Sequence, residues 1–389
     1  HPLSVDTYVE QTLVGAKGIL IRLIGGVPYW SYGLQQVRAL ADQKGIALAV
    51  LPGDGREDHR LDEISTLPVS TLRRLAHLCD AGGAVAAQAA LAQMALASGL
   101  YAGPVRGAKS LPLVGAGTPE DGVCCPLASQ GEASLVIVTF YRAYIAAADT
   151  GPVEALFEAL RARGFRVLGL FAPSLKAPEA AVWLARQIEY LSPAAIVNAT
   201  AFSGKGRAGT SPLDAGNVPV FQIALATSTQ EAWADAERGL SPADLAMHVV
   251  LPEVDGRIFT GVASFKEPQD HDPDLQFSRY MHRADMDRVN AVAEKVRRWV
   301  DLAEIEQQDR RTALVLSTYP GRDWNMAHAV GLDAVASTQA ILEDLGQPPI
   351  DALSDALSTQ IIDWPVPAYA AALSRLPDAL VRNLTAVWG

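Results

Sequence analysis

Residues 134–141 (Ser-Leu-Val-Ile-Val-Thr-Phe-Tyr) are a nearly unbroken apolar run, the pattern of a strand buried on both faces. Residues 142–150 read as a loop or first turn, with Asp149 and Thr150 just before Gly151-Pro152. Short polar side chains there accept from free helix amides, and proline is tolerated in the first turn. Val153, Leu156, Phe157 and Leu160 then recur at helical spacing, mostly opposite Glu154, Glu158, Arg161 and Arg163. Gly164 supplies a helix stop, residues 165–171 make a second apolar run, and Pro173 ends it. Strand, helix and strand in that order predict a βαβ unit with a right-handed crossover and a parallel sheet.

The same alternation extends along the chain. Residues 1–18 are amphipathic (Val5, Val9, Leu13) and lead into a strand at 19–24; a helix at 29–44 and a strand at 46–51 complete a second βαβ unit. Its turn, Pro52-Gly53-Asp54-Gly55, lies where open α/β sheets place ligands. Residues 72–98 are helical and alanine-rich around Gly82-Gly83, and 100–132 are Gly- and Pro-rich without a period, an irregular connector. After the central unit the pattern predicts a helix at 177–191, a strand at 195–202, a polar Gly-rich loop at 203–217, a strand at 218–225 and a helix at 228–239. Ser241-Pro-Ala-Asp opens a short helix, 248–251 reads as a strand ending at Pro252, and 253–258 turns toward an apolar run at 259–266. Residues 267–285 are charged and read as a loop or exposed excursion, followed by a helix at 285–302, a strand at 312–319, a helix at 328–346 and a helical end. The expected class is α/β, with several Rossmann-like or flavodoxin-like lobes built on parallel sheets plus a helical C-terminal segment. The expected division is a lobe at 1–99, the connector at 100–132, a central lobe at 133–265 and a third lobe at 266–389.

At 389 residues, 49% hydrophobic and 19% charged, the chain exceeds one ordinary core. A net charge of -11 argues against a nucleic-acid partner, which demands clustered Lys and Arg. Cys79, Cys124 and Cys125 make no disulfide framework, and the adjacent pair lacks zinc-knuckle or redox spacing; thiols of a reducing compartment are expected. No transmembrane run or signal peptide is read, so a cytoplasmic location is the default. The first residue is His1 rather than Met, so a processed or truncated piece is expected.

Familiar catalytic motifs are missing. Ser203-Gly-Lys-Gly-Arg-Ala-Gly-Thr-Ser has the composition of a phosphate loop but not its spacing, since Lys205 is not followed by Ser or Thr. There is no Gly-x-Gly-x-x-Gly after a strand, no Gly-x-Ser-x-Gly elbow and no His-Glu-x-x-His. What remains is a set of polar residues at strand tips: Tyr141 and Arg142; Asn198, Thr200 and Phe202; His248 at a strand start with Glu253 and Asp255 beyond its end; Tyr319 and Arg322. In a parallel sheet such tips share one rim, and a cation, amides, aromatics and carboxylates there suit a large, flat polycarboxylate ligand. Each residue also has a plain structural role open to it. Arg142 can cap a helix or pair with an acid, Asn198 can satisfy buried backbone, His248 can be a structural histidine, and Glu253 and Asp255 can be turn chemistry.

Several segments together resemble one family: Val138-Thr-Phe-Tyr-Arg-Ala-Tyr with Asp149-Thr-Gly-Pro-Val-Glu-Ala-Leu; Val197-Asn-Ala-Thr-Ala-Phe-Ser; residues 240–258 (LSPADLAMHVVLPEVDGRI); Val262-Ala-Ser-Phe-Lys; and Leu316-Ser-Thr-Tyr-Pro-Gly-Arg. The combination resembles the large subunit of aerobic cobaltochelatase, the CobN family, related to the porphyrin-binding H subunit of magnesium chelatase. That resemblance implies a ligase forming nitrogen–metal bonds, which inserts Co2+ into hydrogenobyrinic acid a,c-diamide on the route to cobalamin. It implies a macrocycle-binding chain served by an AAA+ ATPase subunit and its integrin-like partner subunit, with ATP and Mg2+ on those partners. On this reading Glu253 is the candidate catalytic residue. Tyr141, Arg142, Asn198, Thr200, Phe202 and Arg322 are candidate substrate contacts, and His248 and Asp255 candidate metal contacts. Family members are much longer, and this chain resembles only their amino-terminal portion, so the piece alone is expected to be inactive. A magnesium chelatase H-type role and a non-catalytic small-molecule-binding α/β module are the alternatives. His248 before Val-Val-Leu-Pro-Glu and the Val-Ala-Ser-Phe-Lys stretch favour the cobalt type.

Overall fold

The computed structural model describes residues 2–53, 57–107, 110–118, 132–206, 209–317, 331–353, 355–356 and 363–388. They form two compact units, His1–Ile305 and Glu306–Gly389.

The amino-terminal part of the first unit is a small α/β lobe. Helix α1 (Pro2–Tyr8) precedes β1 (Gly18–Leu23), α2 (Ser31–Lys44) and β2 (Ala47–Pro52), followed by α3 (His59–Ile64), α4 (Val69–Ala81) and α5 (Ala84–Ala97). β1 and β2 pair in parallel, Gly18 beside Ala47. Alternate strand positions face opposite layers, as the pleat requires. Ile19, Leu23, Leu48 and Val50 pack with α2, while Ala49 and Leu51 pack with Leu72, Leu75 and Met94 of α4 and α5. The alanine-rich helical stretch comprises two helices, because Gly82 and Gly83 both take positive φ and break the ladder between α4 and α5.

A seven-stranded sheet follows, in the order β3-β5-β4-β6-β7-β8-β9. Its strands are β3 (Gly115–Gly117), β4 (Leu135–Tyr141), β5 (Arg166–Ala172), β6 (Ala195–Asn198), β7 (Val220–Leu225), β8 (Ile258–Asp272) and β9 (Phe277–Ala284). β4 to β8 run parallel, and the edge strands β3 and β9 are antiparallel. In chain order the parallel strands lie 2-1-3-4-5, an order used by doubly wound sheets, with its switch point between β4 and β6. The linking helices are α6 (Arg142–Ala146), α7 (Gly151–Arg161), α8 (Pro178–Leu191), α9 (Gln230–Asp235), α10 (Pro242–Leu245) and α11 (Leu251–Val254), with α12 (Met286–Glu304) after β9. α7 and α12 bury Leu156, Phe157, Val289 and Val296 on one face. α8 and the 3-10 turn Pro212–Gly216 bury Leu184, Ile188 and Leu213 on the other. The mixed α/β class and the mostly parallel sheet agree with the sequence pattern.

Three expectations are corrected. Residues 248–251 are helical, not a strand. α10, a π-helical turn at Ala246–Val250 and α11 form one continuous helical segment. Pro252 cannot donate to the carbonyl four residues back, so the helix widens by one residue before it. Residues 267–285 are not a loop, since β8 and β9 form a hairpin that crosses position 265 and pairs as far as Asp272 with Phe277. From residue 268 outward its strands are almost wholly exposed, so no apolar alternation marks them. Residues 312–317 carry no strand; Val315 is 86% exposed and finds no sheet partner. In the second unit helices occupy Ala334–Asp344, Val366–Leu373 and Asp378–Trp388.

Candidate functional site

The carboxyl rim of the parallel sheet is laced by side chains. Thr139, two residues before the end of β4, donates to Asn198 Oδ1 at 2.6 Å, and Asn198 Nδ2 donates to Gln222 Oε1 at 2.7 Å. Thr200 Oγ1 donates to the same Asn198 oxygen at 2.9 Å. Tyr141 donates its hydroxyl proton to Ala201 O at 2.7 Å and accepts from Ala201 N at 3.1 Å, closing the crevice at the switch point. Asn198, Thr200 and Gln222 are fully buried, and their polar atoms are used inside the protein. Burial pushes the Tyr141 hydroxyl above its usual range.

This network continues into a buried ion pair. Arg257 Nη1 donates to Gln222 Oε1 at 3.2 Å, and Nη2 meets Asp255 Oδ2 at 3.0 Å, with both side chains almost wholly enclosed. Asp255 also accepts from Ser203 Oγ at 2.8 Å and Gly204 N at 2.6 Å, which fastens the Gly-rich loop. Gly204 is required there, because a Cβ would lie 2.4 Å from Arg257 Nη2. Burial pushes Arg257 below its usual range, opposed chiefly by the Asp255 charge. The far side of the pair, with Leu213, Asp214 and Asn217, lines a recess of about 340 Å³.

The helical segment 242–254 presents two faces. Asp244, fully buried, accepts from Thr227 N and Thr227 Oγ1, both at 3.0 Å, and fixes the segment to the end of β7. His248, one turn on, is buried with Nε2 3.9 Å from Asp244 Oδ1. The opposite face carries Met247, Val250, Leu251 and Val254, the last three 50%, 38% and 68% exposed. Phe202 joins this apolar stripe. Its N–H donates to Met247 O at 2.7 Å, its ring is 49% exposed, and its φ is 65°. A non-glycine residue held in the left-handed region costs about 1–3 kcal/mol, and such strain concentrates at functional sites. Glu253 is exposed on the same segment.

A second histidine, His282, lies on β9. His282 Nδ1 lies 3.1 Å from Ser264 Oγ, its backbone N–H donates to Asp149 Oδ1 at 2.9 Å, and its ring sits edge-on to Tyr144 at 5.8 Å. Burial holds both histidines below their ordinary pKa. For His282 Asp149 opposes this while Lys266 and His248 reinforce it, and for His248 Asp244 opposes it. Ser228 Oγ and His248 Nδ1 are buried without a hydrogen-bond partner among the described residues. No group of three or more possible metal ligands gathers among those residues. Because the folded pKa values are depressed, the unfolded chain takes up protons first as pH falls below about 6.5. The contribution of these histidines is therefore complete above that pH and is lost as pH falls toward the folded values. Urea midpoints should drop between about pH 7.5 and about pH 5.5, and His248→Gln should shrink the drop. An undiminished drop would assign it to other groups.

The structure separates the residues that the sequence grouped. Tyr141, Asn198 and Thr200 share one buried network, and Phe202 is tied by its backbone to Met247, on the helical segment that also carries the buried His248 and the exposed Glu253. Arg142 instead turns away, its guanidinium donating to the backbone carbonyls of Asp80, Ala81, Leu111 and Pro112. Asp255 is committed to Arg257 and the Gly-rich loop, not to His248. Arg322 and Tyr319 lie outside the described residues. Sequence reading missed Asp244 as an anchor, Arg257, Ser264 and His282. The hairpin and the parallel crossovers bring them in from distant positions, and only the Pro-Ala-Asp first turn hinted at Asp244.

The CobN/Magnesium Chelatase family model matches residues 122–389. The chain is 34% identical over 365 residues to the aerobic cobaltochelatase subunit CobN of a Sinorhizobium species, covering 89% of this chain and 28% of that protein. It is 33% identical to CobN of Pseudomonas aeruginosa, covering 99% of this chain and 33% of that protein. The chain thus spans about a third of the length of these curated relatives. The rice magnesium-chelatase subunit ChlH is 24% identical over 55% of the chain and 15% of its own length. The catalytic subunit of cobaltochelatase from Mycobacterium tuberculosis superposes with a TM-score of 0.57 at 29% identity, covering 88% of this chain and 28% of that one. With a family model over more than half its length and relatives above 30% identity across most of it, the chain belongs to the CobN/magnesium chelatase family.

Proposed function

We propose that this chain is the macrocycle-facing part of a cobaltochelatase large subunit. The reaction it serves is insertion of Co2+ into hydrogenobyrinic acid a,c-diamide in the cytoplasm. ATP and Mg2+ act on an AAA+ subunit and its integrin-like partner. The observation that carries this reading is the apolar stripe of half-buried Met247 and exposed Val250, Leu251 and Val254, together with the strained, half-exposed Phe202. A flat ring laid on that wall covers apolar surface, and Phe202 offers an aromatic face for stacking. Metallation also releases pyrrolic protons. On this reading Glu253, open to solvent on the same segment, accepts them and passes them to water.

The test is a titration of the purified chain with the corrin precursor and, separately, with protoporphyrin, followed by absorbance. Selective binding of the corrin precursor supports the cobalt reading. Preference for protoporphyrin supports the magnesium type, the second reading, which rests on the weaker likeness to ChlH. Phe202→Ala and Val254→Asp should each weaken binding about tenfold, a change of about 1.4 kcal/mol. Binding of neither ring, or full affinity in both variants, overturns the reading.

A further inference from the structure

Among the described residues, no apolar cluster joins the amino-terminal lobe to the seven-stranded sheet. The buried apolar side chains between Ile19 and Met94 pack among themselves, and those between Leu135 and Val300 do likewise. The hydrogen bonds that tie the two together converge on one narrow polar contact. Arg142 Nε donates to Pro112 O at 2.9 Å, Nη2 donates to Leu111 O at 3.0 Å and to Ala81 O, and Nη1 reaches Asp80 O at 3.4 Å. Asp80 and Ala81 close α4, where carbonyls lack intrahelical partners and the helix dipole favours a cation. Leu111 N donates to Ala81 O at 3.4 Å, tying the connector to the same helix end. Gly82 makes the approach possible. Its φ is +70°, and a Cβ there would lie 2.9 Å from Ala146 Cβ of α6.

We propose that Arg142 is a releasable latch, and that the amino-terminal lobe moves as a unit against the sheet when it opens. An interface without shared apolar core leaves relative motion as the default. The half-buried guanidinium can exchange its carbonyl partners for water. Because Arg142 directly follows Tyr141, the contact opens at the carboxyl end of β4 whatever ligand the rim takes.

Amide hydrogen exchange on the whole chain tests this with Arg142→Ala, Arg142→Lys and Gly82→Ala. The latch predicts that the Leu111 amide exchanges at least about tenfold faster in all three, while β1–β2 and β4–β8 each keep their protection. Lysine retains the charge but cannot span four carbonyls, and Gly82→Ala wedges the contact while leaving the Arg142 side chain chemically intact. Unchanged exchange in Arg142→Ala and Gly82→Ala overturns the proposal. So does acceleration spread through β4–β8, which would make Arg142 a support of the sheet. Wild-type exchange in Arg142→Lys would overturn the forked contact as the latch.

Discussion

Asp255→Ala is expected to destabilise the protein by about 3–5 kcal/mol, because it strands the buried Arg257 charge. Arg257 is nearly inaccessible, and of its acceptors only Asp255 is charged; the remainder are Gln222 Oε1 and, at 3.5 Å, Phe202 O. The same substitution releases Ser203 and Gly204, so the Gly-rich loop loses its fastening. Denaturant unfolding of the variant against wild type measures the loss. Replacing both partners with apolar residues, as in Asp255→Val with Arg257→Met, should recover much of it, since the pair also pays a desolvation penalty. A loss under about 1 kcal/mol for Asp255→Ala would mean that the pair is open to water and that the enclosed geometry is wrong.

Asp244→Ala is expected to cost about 2–3 kcal/mol, as hydrogen bonds to a buried carboxylate are strong and their donors are left unpaired. Thr227 N and Thr227 Oγ1 lose their acceptor, and the segment 242–254 loses its tie to β7. Thr227→Val removes only the hydroxyl and should cost less than half as much. If Asp244→Ala and Thr227→Val cost the same, the carboxylate is not the anchor. On the proposed function, Asp244→Ala should also weaken macrocycle binding more than its stability loss alone explains, because the apolar stripe and Glu253 ride on that segment.

The residues around 252–257 show how far the sequence reached. Pro-Glu-Val-Asp-Gly-Arg stood out as a motif, and Glu253 and Asp255 looked alike in it. The fold sends Asp255 and Arg257 inward and leaves Glu253 and Val254 in solvent. Nothing in the spacing separates these roles, because the π-helical turn before Pro252 shifts which positions face the sheet. His-Val-Val-Leu read as a strand because a short β-branched run favours one. The helix prevails through its Ser241 cap and the Asp244 anchor, both tertiary or capping effects that outweigh propensity. Arg142 illustrates the opposite case. Its helix-capping role was weighed from the sequence, but the helix it caps belongs to another lobe, 62 residues earlier.

The sequence by itself determined the βαβ succession, the α/β class and the family likeness. Buried parallel strands must be apolar runs, and crossover helices must show one apolar face, so both leave a local record. The tertiary structure alone decided the strand order, the hairpin beyond residue 267, the enclosed Asp255–Arg257 pair and the placing of His282 against Ser264 and Asp149. These depend on which distant segments lie side by side, and a polar residue carries no mark of its partner until the chain has closed around it.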